Sequence, residues 1–134
     1  MIRAVVDTNV YVSALVFGGK PAAVLQLAES GAFQLVVSAT IKTELVDTLT
    51  AKFEWSIDRA EQVSSELWDE AYWVVPQETV QVSRDPDDDS ILACALEARA
   101  EFVITGDQDL LVLHPFRGIA IVTPAEFIAR ILNQ

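Results

Sequence analysis

The chain contains one cysteine and one histidine among its 134 residues. A lone Cys94 can neither close an internal disulfide nor assemble a zinc cluster. Set among apolar neighbours, it reads as a small core residue rather than a reactive thiol. His114 precedes Pro115 in a loop-like stretch and is assigned no catalytic role. Basic residues are scarce as well: nine Lys and Arg face twenty Asp and Glu, a net charge of −11. That balance excludes the basic stripe usual in duplex DNA binders and repels polyanions at long range. A nucleic-acid substrate would have to be drawn in by bound cations. No apolar run approaches the roughly 20 residues of a membrane-spanning helix. The opening MIRAVVDTN has no basic region followed by a long apolar stretch and no small-residue cleavage site. The chain therefore reads as soluble and cytoplasmic, with no membrane partner. Internal repeats, linkers and low-complexity tracts are also lacking.

What remains is a hydrophobic content of 51% with 22% charged residues, the balance of a globular protein. The length suits one domain spanning residues 1–134. Short apolar runs at 2–6, 35–37, 102–105 and 119–122 read as buried strands, and residues 79–82 as a weaker one. Between them lie helical stretches. One begins at the DTN of residues 7–9, a second occupies 21–30 with Pro21 in its first turn, and a third follows Ser38 to about Leu49. A long helix is expected over 56–74, another from Pro86 to about Ala100, and a last one at TPAEF, where Thr123 and Glu126 form a capping box. Strands alternating with helices predict an α/β fold with a mostly parallel central sheet covered on both sides.

In RDPDDDSILACA, residues 84–95, Asp85, Asp87, Asp88 and Asp89 fall within a few positions of one another. Like charges this close are either solvated or hold a cation. Asp85 before Pro86 is a natural helix cap. Asp89 leads into the apolar part of its helix, and Asp7 stands directly behind an apolar strand, where an unpaired charge is costly. Asp107 and Asp109 follow FVIT, and Glu44 lies about 9 Å along its helix from Ser38. In open parallel sheets the strand ends gather such residues at one edge. Carboxylates with so few basic partners call for a divalent cation, and all-oxygen ligands suit magnesium or manganese.

VVDTNVYVSAL, SATIKTEL, RDPDDDSILACALEARAEFVITGDQDL and IAIVTPAEF together resemble a PIN-domain ribonuclease. More narrowly they are similar to bacterial toxins of toxin-antitoxin pairs, the virulence-associated protein C group. The resemblance covers nearly the whole chain and implies a three-layer α/β/α sandwich. It implies catalytic residues at Asp7, Glu44, Asp89 and Asp107, with Asp7, Asp89 and Asp107 holding Mg2+ or Mn2+. Asn9 and Thr105 match polar positions lining such sites, and Asp85, Asp88 and Asp109 stand as substrate or outer helpers. Ser90 and Gln108 occupy places where many relatives carry lysine. The implied activity is metal-dependent endonucleolytic cleavage of single-stranded RNA by a homodimer that a cognate antitoxin restrains. The alternative is a PIN-fold metal- or RNA-binding interaction module with little or no catalysis. A phosphatase of the haloacid dehalogenase type fits worse, because it needs an aspartate where Asn9 stands.

Overall fold

Ala4, Val5 and Val6 are consecutive and fully buried, as are Val36 with Val37 and Val103 with Ile104. Neighbouring strand residues point to opposite faces, so both faces of the sheet are covered. The computed structural model describes residues 1–133. Its strands are β1 (Arg3–Val6), β2 (Gln34–Val37), β3 (Tyr72–Trp73), β4 (Phe102–Ile104) and β5 (Ala120–Val122). They form one five-stranded sheet in the order β3-β2-β1-β4-β5, parallel throughout. Val5 of the central strand pairs with Val36 on one side and Val103 on the other.

The helices are α1 (Thr8–Val16), α2 (Gly19–Glu29), α3 (Ala39–Phe53), α4 (Ile57–Leu67), α5 (Pro86–Ala98), α6 (Gln108–Leu111) and α7 (Pro124–Leu132). In α5, Ile91 to Ala95 are buried without a break, and the helix packs on β1, β2 and β4. Helix α1 packs against α2 and α3, α2 against α7, and α3 against α4. This is the parallel sheet covered on both sides that the alternation of strands and helices predicts, and the three-layer α/β/α sandwich that the resemblance implies. Capping follows the sequence signals: Ser38 accepts from the amide of Ile41, Ser56 from that of Arg59, and Thr123 from that of Glu126.

Two expected elements differ. The helix foreseen over residues 56–74 stops at Leu67, and Tyr72–Trp73 instead pairs with Val36 and Val37 as an edge strand. Aromatic and β-branched residues favour a pleated strand over a helix, and the open edge of β2 supplies backbone partners. No strand forms at residues 79–82; the chain from 74 to 85 runs irregularly with Val80 buried beneath it. Pro76 lacks the amide that a continued ladder would need.

The aromatic residues divide between core and surface. Trp68 is buried and donates its indole N–H to the Tyr11 hydroxyl at 3.0 Å, joining α1 to the turn after α4. Phe127 packs edge-on against Phe33 and Phe102. Trp55 is half-buried beneath the Arg59 guanidinium, whereas Tyr72 and Trp73 are exposed. Tyr11→Phe keeps the ring but strands a buried indole N–H, so it should cost roughly 1–3 kcal/mol in denaturant unfolding. An unchanged midpoint would show that the bond contributes nothing.

Candidate metal centre

A parallel sheet presents the carboxyl ends of all its strands at one edge, and pairing continues there one residue past the strands. The amide of Asp7 donates to the Ile104 carbonyl at 2.9 Å, and that of Thr105 to the Val122 carbonyl at 2.9 Å. Asp7 sits at the cap position of α1, yet its side chain makes no capping bond. Its Oδ2 instead accepts from the Thr105 hydroxyl at 2.8 Å, and the same hydroxyl oxygen accepts from the Asp107 amide at 3.0 Å. Thr105 is fully buried and so orients two acids from two loops. Asp107 caps α6 by accepting from the Asp109 amide at 2.9 Å.

Glu44 reaches this edge from α3, which starts directly behind β2. Its Oε2 accepts from the Thr8 hydroxyl at 2.7 Å; its Oε1 is buried with no hydrogen-bond partner among the described residues. At the start of α5, Asp85 caps the helix by accepting from the Asp87 amide at 2.9 Å. Asp88 is only 4% exposed and accepts from the Ser83 hydroxyl. One oxygen from each of Asp88, Asp107 and Asp109 lies within 4.8 Å of the others.

Asp89 stands elsewhere. Its Oδ1 accepts from the amides of Val82 and Ser83 at 3.0 and 2.8 Å, fastening the loop that leads into α5. Adjacent helical residues point about 100° apart, so with Asp88 facing the cluster Asp89 faces the loop. The structure thus brings Asp88, not the expected Asp89, together with Asp107 and Asp109. Asp88 shares the buried stripe of Ile91, Leu92 and Ala95, a helical spacing visible in the sequence. Asn9 is exposed in the first turn of α1. Asp109 is half-buried and accepts from Arg84 at 3.0 Å. His114 is tied to β5, its Nδ1 accepting from the Ile121 amide. Sequence reading passed over Thr8, Ser83 and Arg84; Asp87, counted in the acidic run, lies against Glu44, and the two help line a cavity of about 300 Å³.

The acids strain against one another. Burial raises the Asp7 pKa, which Asp107 raises further and the Thr105 bond partly offsets. Burial likewise pushes Glu44 up to about 7, with Asp87 and Asp7 adding to the rise and Thr8 opposing it. Asp88 is pushed up to about 6, by burial first and then by Asp107 and Asp85. Every donor at the centre is an oxygen, one of them buried and unpartnered, and the shared need is for positive charge. That set fits a hard divalent cation such as magnesium or manganese, and offers no nitrogen or sulfur to zinc or copper.

Comparison with known proteins agrees with this architecture. An uncharacterized protein of Methanocaldococcus jannaschii is 28% identical over 140 residues, covering 95% of this chain and 90% of its own. VapBC2 from Rickettsia felis, solved bound to a DNA fragment from their promoter, superposes with a TM-score of 0.65 at 10% identity, covering 91% of this chain and 98% of that one. VapBC-1 from nontypeable Haemophilus influenzae gives 0.65 at 14% identity, covering 92% and 99%. A protein from Pyrobaculum aerophilum gives 0.66 at 14%, covering 99% and 91%. At such identities the superpositions establish the fold alone. Residues 3–109 match the PIN domain family, the greater part of the chain, and the chain belongs to that family.

Proposed function

We propose that this chain is a metal-dependent endoribonuclease acting on single-stranded RNA, and the toxin of a toxin-antitoxin pair. The observation that carries the reading is the convergence of the Asp88, Asp107 and Asp109 carboxylates at the sheet edge of a PIN fold, with Asp7 linked to Asp107 through Thr105 and Glu44 near Asp7 keeping a buried, unpartnered Oε1. Asp7, Asp88 and Asp107 would hold Mg2+ or Mn2+, with Asp109 beside them. Bound there, the cation supplies Lewis-acid polarisation of the phosphate and neutralises developing charge.

The chain's own residues do the rest. Thr105 holds Asp7 and Asp107 in one arrangement, and Thr8 fixes Glu44 so that Oε1 stays free. With its pKa near neutrality, Glu44 is matched to accept a proton at Oε1 from an attacking water. The water oxygen bonds to phosphorus, one ester bond breaks, and the departing oxygen ends protonated. The cytoplasm is the compartment that suits this activity.

The VapBC names of two fold neighbours match the toxin group that the sequence resembles, which supports an antitoxin partner. An acidic centre favours a cationic segment in that partner. A groove of about 810 Å³ at the opposite end of the sheet has an apolar floor including Leu25 and Leu67 and an acidic rim of Glu29, Glu66 and Glu70. It suits an amphipathic helix with basic residues on its polar side. The exposed Tyr72 and Trp73 of edge strand β3 are the surface assigned to a homodimer. An amphipathic helical peptide bearing arginines is expected to bind the chain, which light scattering should show as a dimer. Glu66→Lys with Glu70→Lys should weaken the peptide at least about tenfold, as expected when charged contacts reverse sign; equal binding would remove the groove from this account.

The direct test is cleavage of a mixed-sequence single-stranded RNA with magnesium, manganese or chelator. Asp7→Asn should lower the metal-dependent rate by about two orders of magnitude or more while the fold persists, as befits loss of a group acting in the transition state. Unchanged cleavage in that variant, or none by the parent with any metal, would favour the interaction-module reading.

Cation binding separates Asp88 from Asp89. Asp88→Ala should abolish the rise in melting temperature that Mg2+ produces. Asp89→Ala should keep that rise but lower basal stability by about 1–2 kcal/mol through two lost amide bonds. The rise should also grow with pH. Glu44 and Asp88 titrate near 7 and 6 in the fold, above their ordinary values. The cation-free fold therefore loses stability as pH climbs through 6 to 7 and recovers it toward pH 4 to 5. Mg2+ should stabilise the chain more at pH 8 than at pH 5.5 in a melting assay; an equal effect at both would place the cation elsewhere.

A further inference from the structure

The loop from Ser83 to Asp85 is held on both sides, and its middle side chain extends from it into solvent. Asp89 Oδ1 accepts from the Val82 and Ser83 amides. The Ser83 hydroxyl accepts from the Asp85 amide and donates to Asp88. These bonds set the backbone of Arg84 beside the acidic centre. The Arg84 side chain is 89% exposed, and its one hydrogen bond goes to Asp109, itself a member of the carboxylate trio. An exposed ion pair of this kind contributes little to stability, so stability alone does not account for where Arg84 rests.

Other cations are engaged away from the centre. Lys42 pairs with Glu61 and Arg117 with Glu78. Arg59 and Arg130 lie over Trp55 and Phe102, and Arg3 bonds to Gln34 and the Ala98 carbonyl. Among the described residues Arg84 alone makes an ion pair with an acid of the centre. A guanidinium on a fixed backbone, with donor capacity beyond its single bond, is built to grip a phosphate through two parallel N–H groups.

We infer that Arg84 is the phosphate-gripping residue of this centre: it rests on Asp109 in the free chain and moves to a phosphodiester oxygen of a bound single strand. The inference rests on the nuclease reading and adds to it the residue that receives the substrate backbone. It also gives Asp89 a task, as the positioning residue that fixes the loop from which Arg84 extends. When Arg84 leaves, Asp109 is released to the cation, so cation and phosphate are bound in support of one another.

The test uses the Asp7→Asn chain, in which cleavage is removed, with a labelled mixed-sequence single-stranded RNA in Mg2+, read by fluorescence anisotropy. Adding Arg84→Gln should weaken binding about fivefold near 0.1 M salt and shrink the slope of log affinity against log salt by about 0.7, the loss of one single-strand phosphate contact. Arg84→Lys should lose less, because charge remains without the fork. Lys52→Gln makes the same charge change about 12 Å along α3 from Glu44 and should leave both readouts in place. In a parallel melting titration, Arg84→Gln should lower the Mn2+ concentration needed for half the stabilisation, since Asp109 is no longer held. Equal RNA affinity and salt slope for Arg84→Gln and Lys52→Gln would overturn the assignment while leaving the nuclease reading intact. Absence of RNA binding by both the Asp7→Asn parent and the unsubstituted chain, in Mg2+ and in Mn2+, would overturn both.

Discussion

Repulsion between carboxylates gathered at one sheet edge shapes the rest of this molecule. Asp7 and Asp88 are nearly inaccessible, and Glu44 keeps a buried oxygen without a partner. Left alone, such groups would drive the loops apart or take up protons. Part of the strain is answered by neutral donors: the hydroxyls of Thr8, Thr105 and Ser83 each donate to one acid. Each bond lowers the cost of one charge and fixes one orientation, but none supplies positive charge. What is left over appears as raised proton affinity at Asp7, Glu44 and Asp88, and that remainder is what a cation can satisfy.

Such an edge persists only if the scaffold beneath it is stiff. Three central strands of consecutive buried aliphatic residues, each paired with its neighbours, provide that stiffness. Two mainchain bonds then carry the register past the strands to Asp7 and Thr105. Asp7 and Asp107 therefore follow directly on packed strands, whereas the chain leading into α5 runs irregularly from 74 to 85. There Asp89 and Ser83 take over from the sheet and fasten the loop to the start of α5. An acid placed in a run of acids serves as a loop anchor because an anionic oxygen accepts two amides more strongly than a neutral one.

Most of the fold was legible from the chain itself. Apolar runs such as AVV and FVI, alternating with capped helices, lead to a parallel sheet, and Ser38, Asp85 and Thr123 cap the helices they were expected to cap. The edge strand at Tyr72–Trp73 was not legible, since Ala71 continues the helical spacing of Ala60, Val63 and Leu67, and only the open edge of β2 decides otherwise. Thr105 links Asp7 to Asp107 at the sheet edge, and Glu44 reaches Thr8 beside Asp7. The exchange between Asp88 and Asp89 has a physical cause. Asp88 lies three, four and seven positions before buried Ile91, Leu92 and Ala95, a spacing that favours it, while Asp89 is held away by the amides of Val82 and Ser83, contacts that sequence spacing does not reveal. Thr8 and Arg84 act through side-chain partners distant in sequence, which is why neither stood out.

The charge of the chain bears on how such a centre meets its substrate. A net charge of −11 repels RNA at long range, but salt limits that repulsion to roughly 8 Å at physiological ionic strength. Within that distance local features decide. On the proposed reading, a cation held by the acids of the centre with a guanidinium at the rim would turn the sign of the field where a phosphate would sit. The acidic remainder of the surface would then act as a filter, discouraging loose binding of polyanions elsewhere. Scarcity of basic residues, which excludes a duplex-binding basic stripe, is compatible with a nucleic acid engaged at a single cation-bearing point.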